Sequence, residues 1–301
     1  MDKKLLKGVY SAIFSVYDEQ LNVKKNTVKS LVDYQLNNGL KGFYVGGATG
    51  ECVVLPAKTR KQMLETVIDA NNNRGQIVAH IGAGHYDETL DLLDHANNMQ
   101  IDAVASLPPS LMSYYDAGEV VEYYKNIAEK SKHPVYVYLN HFVASVVGGN
   151  LLGFAKEMEK IDNVVGLKIS LADYYAFGNV TATVGDKLNI LNGPDECMIC
   201  GLSVGADGAI GTTYNIAPKL AVEIYNKFKA GDIVGALSAQ RKMNRIIDLL
   251  ISGNISVWKD TLGLLGFDMG YTVFPTKLAD KAEKAKLKAN LEAINFFDMV
   301  K

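Results

Sequence analysis

Cysteine is scarce in this chain: Cys52, Cys197 and Cys200 are the only three in 301 residues. So small and odd a number excludes a disulfide framework and points to a reducing compartment, the cytoplasm. Charge of one sign is scarce as well. The formal net charge is −2, and there is no long basic or acidic block. Nucleic acid and anionic membrane surfaces are therefore not expected partners, which leaves small neutral or acidic ligands. Long apolar runs are missing too. Residues 8–17 are interrupted by Ser11 and Ser15 and end at Asp18-Glu19, so neither a signal peptide after the basic start Met1–Lys7 nor a transmembrane span is expected. The five histidines, His80, His85, His95, His133 and His141, form no pair at helical metal-binding spacing, and no metal is expected. Cys197-Met198-Ile199-Cys200 has the spacing of a redox motif but no second ligand pair for zinc beside it, so a place in the core is expected for it.

What the chain does have is material for a large core, with 48% hydrophobic and 21% charged residues, the balance of a soluble globular protein. Short β-type runs alternate with longer helix-type segments. The eight strands expected are Val9–Val16, Gly42–Val45, Ile77–Ile81, Ala103–Ser106, Val135–Tyr138, Val164–Lys168, Leu188–Leu191 and Ala209–Gly211. Apolar residues at three- and four-residue spacing predict helices near Lys25–Asn37, Ala57–Asn72, Glu88–Asn98, Ala117–Lys130 and Leu151–Lys160. Eight β–α units imply a closed (β/α)8 TIM barrel, and the absence of Gly-x-Gly-x-x-Gly after the first strand disfavours an open doubly wound sheet. Beyond residue 230 only helical patterns remain: Ile233–Ile251, Trp258–Leu265 and Lys277–Phe297. No Ser/Gly/Pro-rich linker precedes them, so the expected organisation is a barrel over 1–230 with a C-terminal helical extension, 231–301, packed on it.

In such a barrel the chemistry belongs at the C-terminal ends of the strands. The run Asn163-Val164-Val165-Gly166-Leu167-Lys168-Ile169-Ser170 sets one lysine inside an otherwise apolar strand. A buried amine there must snorkel to water, find a partner or lose its proton, and a neutral amine attacks ketones to give a Schiff base. After the second strand, Gly46-Gly47-Ala48-Thr49-Gly50-Glu51 reads either as an anion nest suited to a carboxylate or as a plain tight turn opening a helix. The fourth strand ends at Pro108-Pro109, the fifth at Tyr138, the seventh at Asn192-Gly193 and the eighth at Thr212-Thr213. Tyr136 and Tyr138 share one face of their strand, so alternation does not choose between them. Asp195 and Glu196 either hold sugar hydroxyls or complement a helix dipole. The glycine-rich run to Gly211 carries no lysine or arginine, which favours strand packing over a phosphate site.

Five stretches together resemble the class I pyruvate-lyase family that holds N-acetylneuraminate lyase and dihydrodipicolinate synthase. They are Gly42-Phe43-Tyr44-Val45-Gly46-Gly47-Ala48-Thr49-Gly50-Glu51, Pro134–Tyr138, Gly166-Leu167-Lys168, Asn192-Gly193-Pro194-Asp195-Glu196 and Gly205–Asn215. The Tyr-Val-Gly-Gly form of the first, the Asn-Gly-x-Asp-Glu form of the fourth and the last stretch are most similar to the sialic acid lyase branch. The resemblance implies that Lys168 forms the Schiff base and Tyr138 relays protons. It implies that Ala48 and Thr49 receive the keto-acid carboxylate, and that Ser170, Gly193, Asp195, Glu196 and Thr212 face the polyhydroxyl tail. It further implies cleavage of N-acetylneuraminate to pyruvate and N-acetylmannosamine by a homotetramer that needs no metal or organic cofactor. The alternatives are another pyruvate-dependent aldolase, for a 2-keto-3-deoxy sugar acid or of the synthase type, and a non-catalytic keto-acid or sugar sensor on the same barrel.

The chain departs from the family pattern at the site itself. Ala48 stands where serine is usual, so one hydroxyl is missing. Tyr138 is followed by Leu139-Asn140-His141 in place of Asn-x-Pro, and the long interval to Lys168 implies an insertion that brings His141 forward as an alternative proton carrier. Leu107-Pro108-Pro109-Ser110-Leu111 lacks the paired tyrosines of many relatives, and no arginine follows Tyr138. Both argue against the proton relay and second-substrate site of the synthase branch.

Overall fold

The computed structural model describes residues 5–109 and 116–301; Met1–Lys4 and, from the fourth strand-end loop, Ser110 and Leu111 lie outside them. Eight strands close into one parallel barrel in sequence order, β1 Gly8–Ile13, β2 Gly42–Val45, β3 Gln76–His80, β4 Ala103–Ser106, β5 Val135–Leu139, β6 Val164–Ile169, β7 Asn189–Asn192 and β8 Gly208–Gly211. Closure is made by β1, which pairs with β2 on one side and with β8 on the other. The helices between them are α1 Lys25–Asn37, α2 Ala57–Asn71, α3 Tyr86–Ala96, α4 Ala117–Lys130, α5 His141–Val146, α6 Leu151–Glu159, α7 Tyr174–Val184, α8 Met198–Ser203 and α9 Pro218–Lys229. Beyond the barrel follow α10 Ile233–Leu250, α11 Ile255–Leu264, α12 Lys281–Ala293 and α13 Phe296–Met299.

The eight expected strands are all present, β2 and β4 with the expected bounds and the other six with shifted ends. The first is shorter than its apolar run, because Phe14 N–H leaves the sheet and donates to Asn215 Oδ1 at 3.3 Å. The interval between β5 and β6 holds two helices, and the short α5 starts where Asn140 Oδ1 accepts from Val143 N–H. The last long helix begins at Lys281 and not at Lys277, because Asp280 and Glu283 form a capping box there, a device worth about 1 kcal/mol.

Two apolar layers hold the barrel. Outward side chains such as Leu167, Ile169 and Val137 pack against the helices, as expected for strands covered on both faces. Inward side chains fill the lumen in tiers, with Tyr10, Val78, Tyr136 and Ile210 among its buried lining. Gly166 has a particular function here: a Cβ on it would lie 2.4 Å from Tyr136 Cε1. Its bare backbone therefore lets the Tyr136 ring cross the lumen, where the hydroxyl donates to Asn189 Oδ1 at 2.6 Å. That aromatic floor leaves the next inward position of β6 to Lys168.

Candidate active site

Lys168 is 6% exposed and sits beside Tyr138 on β5 and Leu191 on β7 in the sheet register. Its Nζ lies 4.4 Å from the centroid of the Tyr138 ring and 4.6 Å from that of Tyr44. Two electron-rich faces thus hold the amine. The buried ion pair among the described residues belongs to Lys259 and Glu51, not to this lysine. Depth separates the two tyrosines that alternation left equivalent. Tyr136 is bonded to Asn189 in the tier below, and Tyr138, one tier higher, is the one that meets the amine.

The turn after β2 closes the same end of the barrel. Gly46 adopts φ +74, which costs glycine little, and its carbonyl accepts from Arg60 Nη2 at 3.3 Å and faces His80 Nδ1 at 3.1 Å. Within the turn, Glu51 N–H donates to Ala48 O at 2.9 Å. Thr49 Oγ1 is 2.6 Å from Thr212 Oγ1, so the β2 and β8 loops meet through two hydroxyls. Ala48 is exposed and Thr49 buried. On the other side of Lys168, Gly193 N–H donates to Ile169 O at 2.8 Å, and a Cβ on Gly193 would lie 1.9 Å from Ser170 Oγ. Only glycine allows these two loops to approach so closely.

Asp195 and Glu196 have different surroundings. Asp195 is buried, and its Oδ2 accepts from Thr213 N–H at 2.6 Å. Burial pushes its carboxyl up to about 6, against the pull of Thr213 and of the Lys168 ammonium. Glu196 is exposed. The extension holds both backbones, since Gln240 Nε2 donates to Asp195 O at 2.9 Å and Asn244 Nδ2 to Glu196 O at 3.0 Å.

All nine residues singled out from the sequence therefore stand at one end of the barrel. Sequence reasoning gave no role to Tyr44 or His80. Both point inward at strand ends, a position that inward alternation on β2 and β3 would have indicated. Burial, with the Arg60 and Lys168 charges, holds the His80 imidazole well below its ordinary range, so the ring is neutral. Its Nδ1 faces a carbonyl and must carry the proton, which leaves Nε2 a buried acceptor with no partner among the described residues. Tyr44 Oη is likewise buried and unpartnered. His141 lies on the first turn of α5 with its side chain exposed. No group of three or more His, Cys, Asp or Glu side chains able to hold a metal ion occurs among the described residues. Among these residues no helix is long and apolar enough to cross a membrane. A cavity of about 570 Å³ at the opposite end, beside Lys41, Arg74 and Asp102, and one of about 890 Å³ between α10, α11 and α12 lack any comparable set of reactive groups.

Known proteins resemble this chain in sequence and fold. The chain is 32% identical over 286 residues to N-acetylneuraminate lyase of Rhizobium meliloti, covering 94% of this chain and 93% of the relative. It is 30% identical to N-acetylneuraminate lyase of Clostridium perfringens strain ATCC 13124, covering 94% and 98%. Among solved structures, a Ruminococcus gnavus sialic acid aldolase, described as a catalytic lysine mutant, superposes with a TM-score of 0.89 at 27% identity, covering 99% of this chain and 98% of that one. The native N-acetylneuraminate lyase of Aliivibrio salmonicida gives 0.88 at 27% identity over 97% and 98%. The model of the dihydrodipicolinate synthetase family matches residues 5–294, and with the closed barrel and the lysine of β6 already in view, this chain belongs to that family.

Proposed function

We propose that the chain is a Schiff-base aldolase that reversibly cleaves N-acetylneuraminate to pyruvate and N-acetylmannosamine. The observation that carries this reading is the Lys168 amine, buried at a strand end and held between the Tyr44 and Tyr138 rings. Family membership supports a class I aldolase, and the names of the relatives support the substrate.

The mechanism follows from the parts. Lys168 Nζ adds to the C2 ketone of the open-chain sugar acid, and loss of water gives an iminium. The iminium draws electrons from C3, so removal of the C4 hydroxyl proton lets the C3–C4 bond break. N-acetylmannosamine leaves, the enamine takes a proton at C3, and water releases pyruvate. Tyr138, with its ring against the amine, serves that proton traffic together with the substrate carboxylate. The turn at Ala48 and Thr49 receives the carboxylate. Ser170, Gly193, Asp195, Glu196 and Thr212 surround the hydroxylated tail. No metal or organic cofactor enters any step, and a homotetramer in the cytoplasm accompanies this reading.

Pyruvate and borohydride followed by peptide mapping test it. A reduced pyruvyl group on Lys168 is expected, and saturating pyruvate without a label there rejects the assignment. Parallel assays with N-acetylneuraminate and 2-keto-3-deoxy sugar acids then fix the substrate.

A further inference from the structure

The mechanism above leaves the Cys197-Met198-Ile199-Cys200 segment unused. It was expected in the core, but the structure divides it: Met198 is fully buried, Cys197 is half-buried and Cys200 is exposed. The reason is that α8 starts inside the motif. Cys197 is its N-cap, with φ −130 and ψ 30, and Cys200 is the third residue of the helix. In a capping box the side chain at each of these two positions bonds the backbone N–H of the other, so the two side chains stand side by side, and here the two thiols interact directly. The same chain makes that pairing with Asp116 and Glu119, and again with Asp280 and Glu283. At α8 two thiols take the places of the acceptor and the carboxylate, and Cys197 makes no cap hydrogen bond.

The surroundings tie this pair to the candidate site. Cys197 directly follows Asp195 and Glu196, in the short 3-10 turn Asp195–Cys197 that links β7 to α8. Tyr174 Oη donates to Cys197 O at 3.2 Å. Burial, countered by Tyr174 and reinforced by Cys200 and Glu196, pushes the Cys197 thiol up, so the two sulfurs and the Glu196 carboxylate sense each other. Side chains three apart at a helix start have Cβ atoms about 5–6 Å apart. A disulfide needs about 4 Å, so the closure required is small and falls on the turn that carries Glu196.

We propose that Cys197 and Cys200 form a reversible disulfide that loosens the grip of the Glu196 turn on the substrate tail. The step balances with a small-molecule disulfide as oxidant. The exposed Cys200 thiolate attacks one of its sulfurs, expelling one thiolate and leaving a mixed disulfide. The Cys197 thiolate then attacks the Cys200 sulfur, expelling the second. Two protein thiols lose two protons and two electrons, and the oxidant is reduced to two thiols. The consequence for the tail rests on the reading of Glu196 given above, whereas the disulfide itself does not.

The test uses the intact protein with oxidised glutathione as probe. Expected are the loss of two alkylatable thiols and about 2 Da, reversed by a dithiol reductant, with Cys52 still free on peptide mapping. Cys197→Ser is expected to retain glutathione on Cys200, since no resolving thiol remains, and Cys200→Ser to lose the intramolecular bridge. A stable glutathione adduct on the unsubstituted protein, or no thiol loss, overturns the proposal. In the oxidised protein KM for the sugar acid is expected to rise about 2–10-fold, the equivalent of one net hydrogen bond, while borohydride trapping of pyruvate at Lys168 is unchanged. Formation of the bridge with KM unaltered overturns the coupling. Failure of trapping in the reduced protein instead overturns the aldolase reading and leaves the disulfide itself standing.

Discussion

Lys259 Nζ lies 2.8 Å from Glu51 Oε2, with both side chains buried, so a helix beyond the barrel is pinned to the turn that ends the Gly46–Glu51 motif. Glu51 needs the anchor. It adopts φ +60, a left-handed conformation that costs a non-glycine residue roughly 1–2 kcal/mol. Its other oxygen accepts from Tyr17 Oη at 2.7 Å, and Lys259 also donates to Tyr271 O at 2.8 Å and lies 4.2 Å from the centroid of the Tyr17 ring. Burial lowers the Lys259 ammonium pKa and Glu51 opposes the shift. The helical extension thereby reaches the site twice, through Lys259 at the β2 turn and through Gln240 and Asn244 at the β7 loop.

Lys259→Met should therefore cost about 3–5 kcal/mol of stability, because it leaves the Glu51 charge buried and half-paired. Adding Glu51→Gln should recover part of that loss, as coupled neighbours do. Urea unfolding of the two single variants and the double variant measures it. A loss below about 1 kcal/mol, the range of exposed pairs, means that the pair does not anchor the turn.

Ala48→Ser supplies the hydroxyl that the family pattern places in this turn. Ala48 is exposed, so the extra atom meets no packing penalty. If the turn binds the keto-acid carboxylate, half-maximal borohydride trapping should need less pyruvate, by the equivalent of about 0.5–1.5 kcal/mol. An unchanged concentration dependence removes Ala48 from the carboxylate site.

Much of this was legible in the chain itself. An amine in a Val/Ile/Leu strand stands out, and repeated β–α alternation admits few closed sheets, so Lys168 and the barrel follow from local pattern. Depth does not. Periodicity tells that Tyr136 and Tyr138 share a face but not that Gly166 seats one in the tier below the other. It places Tyr44 and His80 inward at strand ends but does not tell that both end up at the height of Lys168. The Cys197–Cys200 segment misled because α8 starts inside it and turns Cys200, its third residue, to solvent. The use of Asp195 was hidden for another reason: its partner, Thr213, lies beyond a whole further strand.

The burial of Asp195 gives a pH prediction. The Asp195 carboxyl is raised from 3.8 to about 6 by burial, so its ionisation is harder in the folded chain than in the unfolded one. Its favourable contribution is complete below pH 3.8 and is lost as pH rises to about 6, a change of roughly 3 kcal/mol. Glu196 and Lys168 are the neighbouring charges, acting in opposite directions. Asp195→Asn should gain stability relative to the parent chain between pH 4 and 7, measured by urea unfolding. Parallel profiles for the two proteins contradict the buried, weakly acidic assignment.

The two tyrosines of β5 differ in depth, and their variants should differ accordingly. A phenol that moves protons as the C3–C4 bond breaks acts mainly in the transition state, so Tyr138→Phe should lower kcat by about 10²–10⁴-fold. The ring that faces Lys168 is retained, and borohydride trapping of pyruvate should change far less. Tyr136→Phe removes the hydroxyl that meets Asn189 at 2.6 Å, which is a matter of stability. It should cost about 0.5–1.5 kcal/mol, the net worth of one hydrogen bond, because Asn189 Oδ1 still accepts from Leu6 N–H at 3.0 Å, with kcat nearly unchanged. His141→Ala, exposed on α5, should leave kcat unaltered. Loss of turnover in His141→Ala with Tyr138→Phe still active would transfer the proton relay to the helix after β5, with Lys168 still the nucleophile.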